Sequence, residues 1–169
     1  KLKDYLSKAG TTIFIASIVV WAVLNFGLTG KVENPADSFG AMIGRWLEPV
    51  MRPAGLGMWQ IIVSLIAGIS AKEVVVSSFS VLFGISNASS AAGMDTIIYN
   101  LRLADPSFGP LNAYCMMIFC LLYVPCAAAM ATIRKESGSG KFTLKLALFQ
   151  IFFAWLMATL VFQIGSLFL

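Results

Sequence analysis

Trp59-Gln-Ile-Ile-Val-Ser-Leu-Ile-Ala-Gly-Ile-Ser-Ala-Lys-Glu-Val-Val-Val-Ser-Ser-Phe-Ser-Val-Leu-Phe-Gly-Ile85 is an apolar run interrupted near its middle by Lys72-Glu73. A charged side chain at bilayer depth costs about 2.5–3.5 kcal/mol on insertion scales, so such residues mark an ion path, a proton relay or a paired structural lock. With Met58 included, the block would be about 42 Å long as one continuous helix at ~1.5 Å per residue, against a hydrocarbon core of roughly 30 Å. The block is therefore expected to be tilted or broken near its centre. Gly68, Ser70 and Ala71, just before the pair, are small enough for close helix approach or for a break.

The composition makes a bilayer the solvent. Of 169 residues, 59% are hydrophobic and 12% charged, too apolar for one water-soluble domain of this size. The fold expected is all-α, a polytopic membrane helical bundle with a re-entrant or broken helix, forming one domain over 1–169. Apolar blocks cover about 11–28, 58–85, 111–133 and 142–169. Between the first two, residues 39–52 carry apolar side chains at helical spacing with Arg45, Glu48 and Arg52 among them, the pattern of a short interfacial helix stopped by Pro53. No signal peptide is evident, and because Lys1 rather than methionine comes first the chain reads as a piece of a longer polypeptide. The net charge of +4 comes from residues beside the spans, which read as membrane anchors rather than a nucleic-acid surface.

Loop charge suggests an orientation. Arg134, Lys135, Lys141 and Lys145 place the loop between the last two blocks in the cytoplasm, and the opening segment carries Lys1, Lys3 and Lys8. If both are cytoplasmic, one of the three intervening blocks fails to cross, and block 58–85 is the preferred re-entrant element because non-helical backbone is tolerated where it lines a cavity. The alternative has all three crossing and the N-terminal stretch outside. In either case the last residues face outward if the fourth block spans.

Several residues could carry chemistry. Glu73 is a cation or proton ligand when ionised, whereas adjacent helical residues diverge by about 100°, so Lys72 and Glu73 would not face one site. A structural ion pair locking two helices and a pathway role both remain open for them. In Leu121-Leu-Tyr-Val-Pro-Cys126, Pro125 removes a backbone donor and frees the carbonyl of Leu121 beside the Cys126 thiol. A thiolate is a soft ligand suited to Fe(II), Zn(II) or Cu(I), although a buried cysteine is more often a small hydrophobe. Cys115 is about three turns earlier, roughly 16 Å away on nearly the same face, so the two cysteines could line successive points of a path but not share one ion. Three cysteines in apolar surroundings argue against a disulfide framework.

What the sequence lacks is also informative. It contains no histidine, which removes Ser-His-Asp and Cys-His catalysis. The stretch Glu136-Ser-Gly-Ser-Gly-Lys-Phe142 does not fit phosphate-loop spacing and reads as a flexible cytoplasmic turn, and Asn87-Ala-Ser89 is a chance match to a glycosylation acceptor. The eight methionines are spread as packing residues.

Ala71-Lys-Glu-Val-Val-Val76 after Gly68, with Pro53 and Trp59 upstream, then Leu122-Tyr-Val-Pro-Cys126 and Arg134-Lys-Glu-Ser-Gly138, resembles the C-terminal membrane region of the ferrous iron transport protein B (FeoB) family. The motifs fall in that family's order and resemble the second of its two gate repeats, related by pattern to nucleoside transporter gates. The resemblance implies a multi-pass transporter of the bacterial inner membrane, with Fe2+ as transported substrate and this chain forming half of the ion pathway. It also implies an N-terminal GTPase domain and a first gate repeat that are absent here, so GTP would act only through that missing domain. No bound cofactor is implied, and this chain is not expected to be an enzyme. The partners implied are the lipid bilayer, Fe2+, the remainder of the polypeptide and, in a homo-oligomer, further copies. By the same resemblance the Pro-Cys motif falls on Pro125-Cys126, with Cys126 a proposed iron ligand, and the Ala-Lys-Glu motif on Ala71-Lys72-Glu73. Metal-path candidates are thus Cys126 and Glu73, with Lys72, Pro125 and Cys115 beside them. One departure is Ala-Gly-Leu-Gly-Met between Pro53 and Trp59, which lacks the polar residue many relatives place there. The alternatives are a gate-type nucleoside or other solute transporter, or a structural membrane scaffold.

Overall fold

In the computed structural model, residues 2–28, 30–85 and 90–168 are described, except for the side chains of 2–9, 12, 13 and 16. The glycosylation-like tripeptide at 87–89, Lys1, and the side chains of Lys3 and Lys8 lie outside them. The fold is helical. In chain order it comprises α1 (Leu2–Asn25), a small antiparallel ribbon of β1 (Phe26–Gly27) and β2 (Gly30–Lys31), α2 (Phe39–Met51), α3 (Trp59–Ala67), α4 (Val74–Phe83), α5 (Ala91–Ala104), α6 (Pro110–Leu122), α7 (Ala127–Ser137) and α8 (Gly140–Gly165).

Among the described residues, two helices are long and apolar enough to cross a bilayer. One is Pro110–Ser137, taken through the break between α6 and α7, and the other is Gly140–Phe168. They form an antiparallel hairpin. Gly165 packs on Leu111 at one end and Gly140 lies against Arg134 at the other, while Ala154 and Ala158 are fully buried along the seam. Small side chains there let the backbones approach closely, as in membrane bundles generally. α8 also exposes Leu148, Phe149, Phe152 and Ile164, apolar side chains of the kind a membrane helix presents. Arg134, Lys135, Lys141 and Lys145 are all exposed near the tip. The flexible turn expected at 136–142 is instead mostly structured. α7 runs to Ser137, Gly138 closes it at φ +63, and the Ser139 hydroxyl accepts the Phe142 amide at 3.3 Å to start α8.

The helix expected over 39–52 to lie in the interface is packed against α3 and forms with it a pair bent by 100°, together apolar enough for one broken span. Ser38 caps α2 by accepting the Ala41 amide at 3.2 Å. Gly44 on α2 lies against the backbone of Trp59 at the head of α3. A Glu48 oxygen accepts the Trp59 amide at 3.1 Å, and the Arg45 guanidinium sits 5.8 Å from the Trp59 ring. Arg45 and Glu48 thus hold the bend together, since a carboxylate at a helix N-terminus satisfies an orphan donor and complements the dipole.

The loop of this bend is held by the other helices. Asn112 of α6 accepts the Gly109 amide and donates to the Gly55 carbonyl at 2.8 Å. Trp155 and Gln163 of α8 donate to the carbonyls of Val50, at 2.8 Å, and Pro53, at 3.2 Å. Gly55 has φ +70, and a Cβ there would run into the Phe162 ring, so both backbone and packing demand glycine.

Block 58–85 is broken near its centre. α3 and α4 have nine and ten residues, roughly 14 and 15 Å at ~1.5 Å per residue, so neither spans alone. α5 lies between the second and third apolar blocks. It is capped by Ser90 and buries Gly93, Ile97 and Leu101 at four-residue spacing. The core gathers Leu56, Ile61, Leu65, Phe79, Phe119 and Ala154 from five parts of the chain.

Candidate functional site

Two broken helices meet at their breaks. The first break is residues 68–73 between α3 and α4. The second is 123–126 between α6 and α7. The Ile69 carbonyl in the first accepts the Ala127 amide at the second, at 2.9 Å. Gly68 faces Tyr123 so closely that a Cβ at 68 would lie 2.5 Å from the phenol oxygen. Non-helical backbone at membrane depth survives only where it is buried in protein or lines a cavity, and here each break supplies partners for the other.

Lys72 is the strongest of these links. Its ammonium donates to the carbonyl of Cys120 at 2.8 Å and to that of Leu121 at 3.2 Å, and lies 5.1 Å from the Tyr123 ring centroid. The reason is in the sequence. Pro125 has no N–H to offer the Leu121 carbonyl, so the last turn of α6 ends in exposed acceptors at the negative end of its dipole. A cation there makes charge-assisted bonds roughly twice as strong as neutral ones. The carbonyl that Pro125 frees is thus engaged in the structure by the Lys72 ammonium.

The other sequence candidates separate. Glu73 is exposed at the N-cap of α4, with its side chain making no capping bond. Cys126 is half-buried at the N-cap of α7, where its carbonyl accepts the Met130 amide at 3.1 Å. Pro125 is half-buried in the break itself. Cys115 is fully buried within the apolar core. Among the described residues, no three cysteine, aspartate or glutamate side chains come together in a metal-binding group. Any ion at the crossing would therefore draw on backbone or hydroxyl oxygens as well.

Two buried hydroxyls support that reading of the local chemistry. The Tyr123 phenol and the Ser64 hydroxyl are buried without a hydrogen-bond partner, on residues 4% and 0% exposed. The Tyr123 phenol lies against Gly68 in the first break, and Ser64 is one turn before Gly68 on α3. Buried unpartnered hydroxyls are rare and each calls for an explanation, an ion or water among them.

The family model Gate, described as nucleoside recognition, matches residues 6–140, which include both breaks. The chain belongs to the Gate family. The Gate chain is also 38% identical over 168 residues to the Fe(2+) transporter FeoB of Staphylococcus aureus strain MSSA476, covering 99% of this chain and 24% of that protein. It is 34% identical to the Fe(2+) transporter FeoB of Methanocaldococcus jannaschii, covering 99% of this chain and 24% of the relative, and 34% identical to that of Campylobacter jejuni, covering 100% and 28%. The Gate chain thus spans about a quarter of the length of the curated relatives it matches. No solved structure matches it. The resemblance to FeoB drawn from the motifs is borne out, as is the helical membrane fold.

The Gate chain also has residues that sequence reasoning missed. Tyr123 and Ser64 look like ordinary span residues until the breaks meet. Gln150 Oε1 is another buried atom without a partner. The antiparallel seam from Gly165–Leu111 to Gly140–Arg134 brings Gln150 level with the α6–α7 break. A polar residue in the apolar block 142–169 was the available signal.

Proposed function

We propose that this chain forms the cation-pathway part of a membrane transporter for Fe2+, located in the cytoplasmic membrane of its cell, and that the path runs past the crossing of the two breaks. The observation that carries the reading is the hydrogen bond from Ala127 to Ile69, which joins two discontinuous helices at their interruptions. Transporter sites are commonly built where half-helix ends and unwound carbonyls converge near the bilayer midplane. The similarity to relatives named as Fe(2+) transporters supports Fe2+ as the substrate.

In this reading Cys126 supplies a soft thiolate and Glu73 a hard carboxylate at the rim of the crossing. Pro125 keeps the carbonyls of α6 unpaired by helix, Lys72 governs access to them, and Cys115 serves packing. The GTPase domain and the first gate repeat belong to the remainder of the polypeptide, and a homo-oligomer would bring further copies around the path. A nucleoside substrate is the second reading, favoured by the description of the matched family.

The test is uptake by the full-length polypeptide in vesicles, comparing Fe2+ with nucleosides. Fe2+ entry that falls in Cys126→Ser and Glu73→Ala, with melting behaviour retained, supports the assignment. Wild-type Fe2+ entry in both variants refutes the ligand roles, and nucleoside uptake without Fe2+ uptake transfers the site to the rival substrate.

A further inference from the structure

We propose that the carbonyl oxygens of Cys120 and Leu121, with the face of Tyr123, form a cation-binding site that the Lys72 ammonium occupies as a tethered plug. The transported cation engages these oxygens only when that ammonium withdraws. The inference rests on the cation-pathway reading and adds to it a site and its resting occupant.

The geometry is that of a cation receptor. Two carbonyls approach the ammonium at 2.8 and 3.2 Å, and an aromatic ring lies 5.1 Å away. Carbonyl oxygens and aromatic faces attract cations in general and carry no requirement for lysine in particular. The carbonyls are also at the C-terminus of α6, where the helix dipole favours positive charge. The site is thus specified for charge.

Lys72 lies in the interruption 68–73 between α3 and α4, and its four-carbon stem carries a compact charge that can swing without moving a helix. Its departure would leave the two carbonyls beside Tyr123, whose unpartnered phenol lies against Gly68 in the other break. Two cations cannot share so small a set of oxygens, so ammonium and cargo exclude one another. A purely structural role shows in folding and a plug shows in cation entry, and that difference makes the roles separable.

The experiment uses the full-length polypeptide in phospholipid vesicles holding a metal-sensitive dye, with Fe2+ kept reduced outside and no nucleotide added. Lys72→Gln retains a hydrogen-bond donor but removes the charge, and Lys72→Met removes both. Both neutral variants should admit Fe2+ roughly tenfold faster than wild type, in the range of typical coupling between two sites. Entry through Lys72→Arg, which keeps the charge, should stay well below theirs. A folded Lys72→Gln protein that admits Fe2+ no faster than wild type overturns the plug. If Lys72→Met fails to fold, Lys72→Gln decides alone. If neither neutral variant folds while Lys72→Arg does, the ammonium is structural only and the plug is likewise overturned. Wild-type protein that takes up no Fe2+ even with nucleotide present refutes instead the pathway reading beneath it.

Discussion

The amide of Ala127 donates to the carbonyl of Ile69 across 2.9 Å, and this one bond ties the interruption of one helix to the interruption of another 58 positions along the chain. Ala127 is the first residue of α7, so its N–H has no partner within its own helix. Ile69 has left the regular ladder of α3, so its carbonyl is likewise available.

Ala127→Pro isolates that bond. Proline is well suited to the first helical position, and the extended backbone of Cys126, at φ −56 and ψ 157, is what a residue before proline prefers. Local effects should therefore be neutral or stabilising. The lost cross-link should nevertheless lower stability by about 0.5–2 kcal/mol, as a drop in melting temperature in detergent. An unchanged or raised melting temperature would show that the breaks are not coupled by this bond.

Gly68→Ala should be destabilising by about 1–3 kcal/mol, because the new methyl meets the Tyr123 phenol and the Val75 side chain. Tyr123→Phe removes a buried hydroxyl that has no partner and should be near neutral by itself. Combined, the two substitutions should cost less than their sum, as expected for residues in contact. Strict additivity in a double-mutant cycle would mean that the clash is with Val75 alone.

Asn112→Ala removes two bonds at once, one to the Gly109 amide at 3.0 Å and one to the Gly55 carbonyl at 2.8 Å. It should lower stability by about 1–3 kcal/mol, more than Gln163→Ala, which loses a single 3.2 Å bond to Pro53 at an exposed position. Chemical denaturation of the purified variants orders the two, and the reverse order would remove Asn112 from its role as the clamp of the bend.

The cysteines should part company under alkylation. Cys115 is fully buried in the core, whereas Cys126 is half-buried at a break. A small maleimide should modify Cys126 faster than Cys115, and Fe2+ should slow the reaction at Cys126 if its thiolate touches the ion. Peptide mapping after timed labelling checks both statements. Equal protection of both thiols, or none by Fe2+, counts against Cys126 as a ligand.

Much of this arrangement could be read in advance at particular residues. Lys72-Glu73 announced an interruption because charge is expensive in an apolar block, and Gly68, Ser70 and Ala71 marked its position. Pro125 announced the second break by removing a donor. α5 was not read, because its apolar positions Ile97 and Leu101 are diluted by Asp95, Asn100 and Arg102 in a segment of loop-like composition. Arg45 and Glu48 also meet a partner that spacing did not name, the head of α3, eleven residues beyond Glu48 and reached only through the 100° bend.

Sequence by itself determined what is local: a membrane solvent, helices, two places where the backbone ladder must fail, and the family. Tertiary structure decided which failures meet. The carbonyl freed by Pro125 needed a donor, and nothing in the spacing named Lys72, 49 positions away, as the group that supplies it. An unpaired backbone group can be forecast from one residue, because covalent chemistry removes the donor. Its partner depends on how the helices pack, and that is a property of the whole chain.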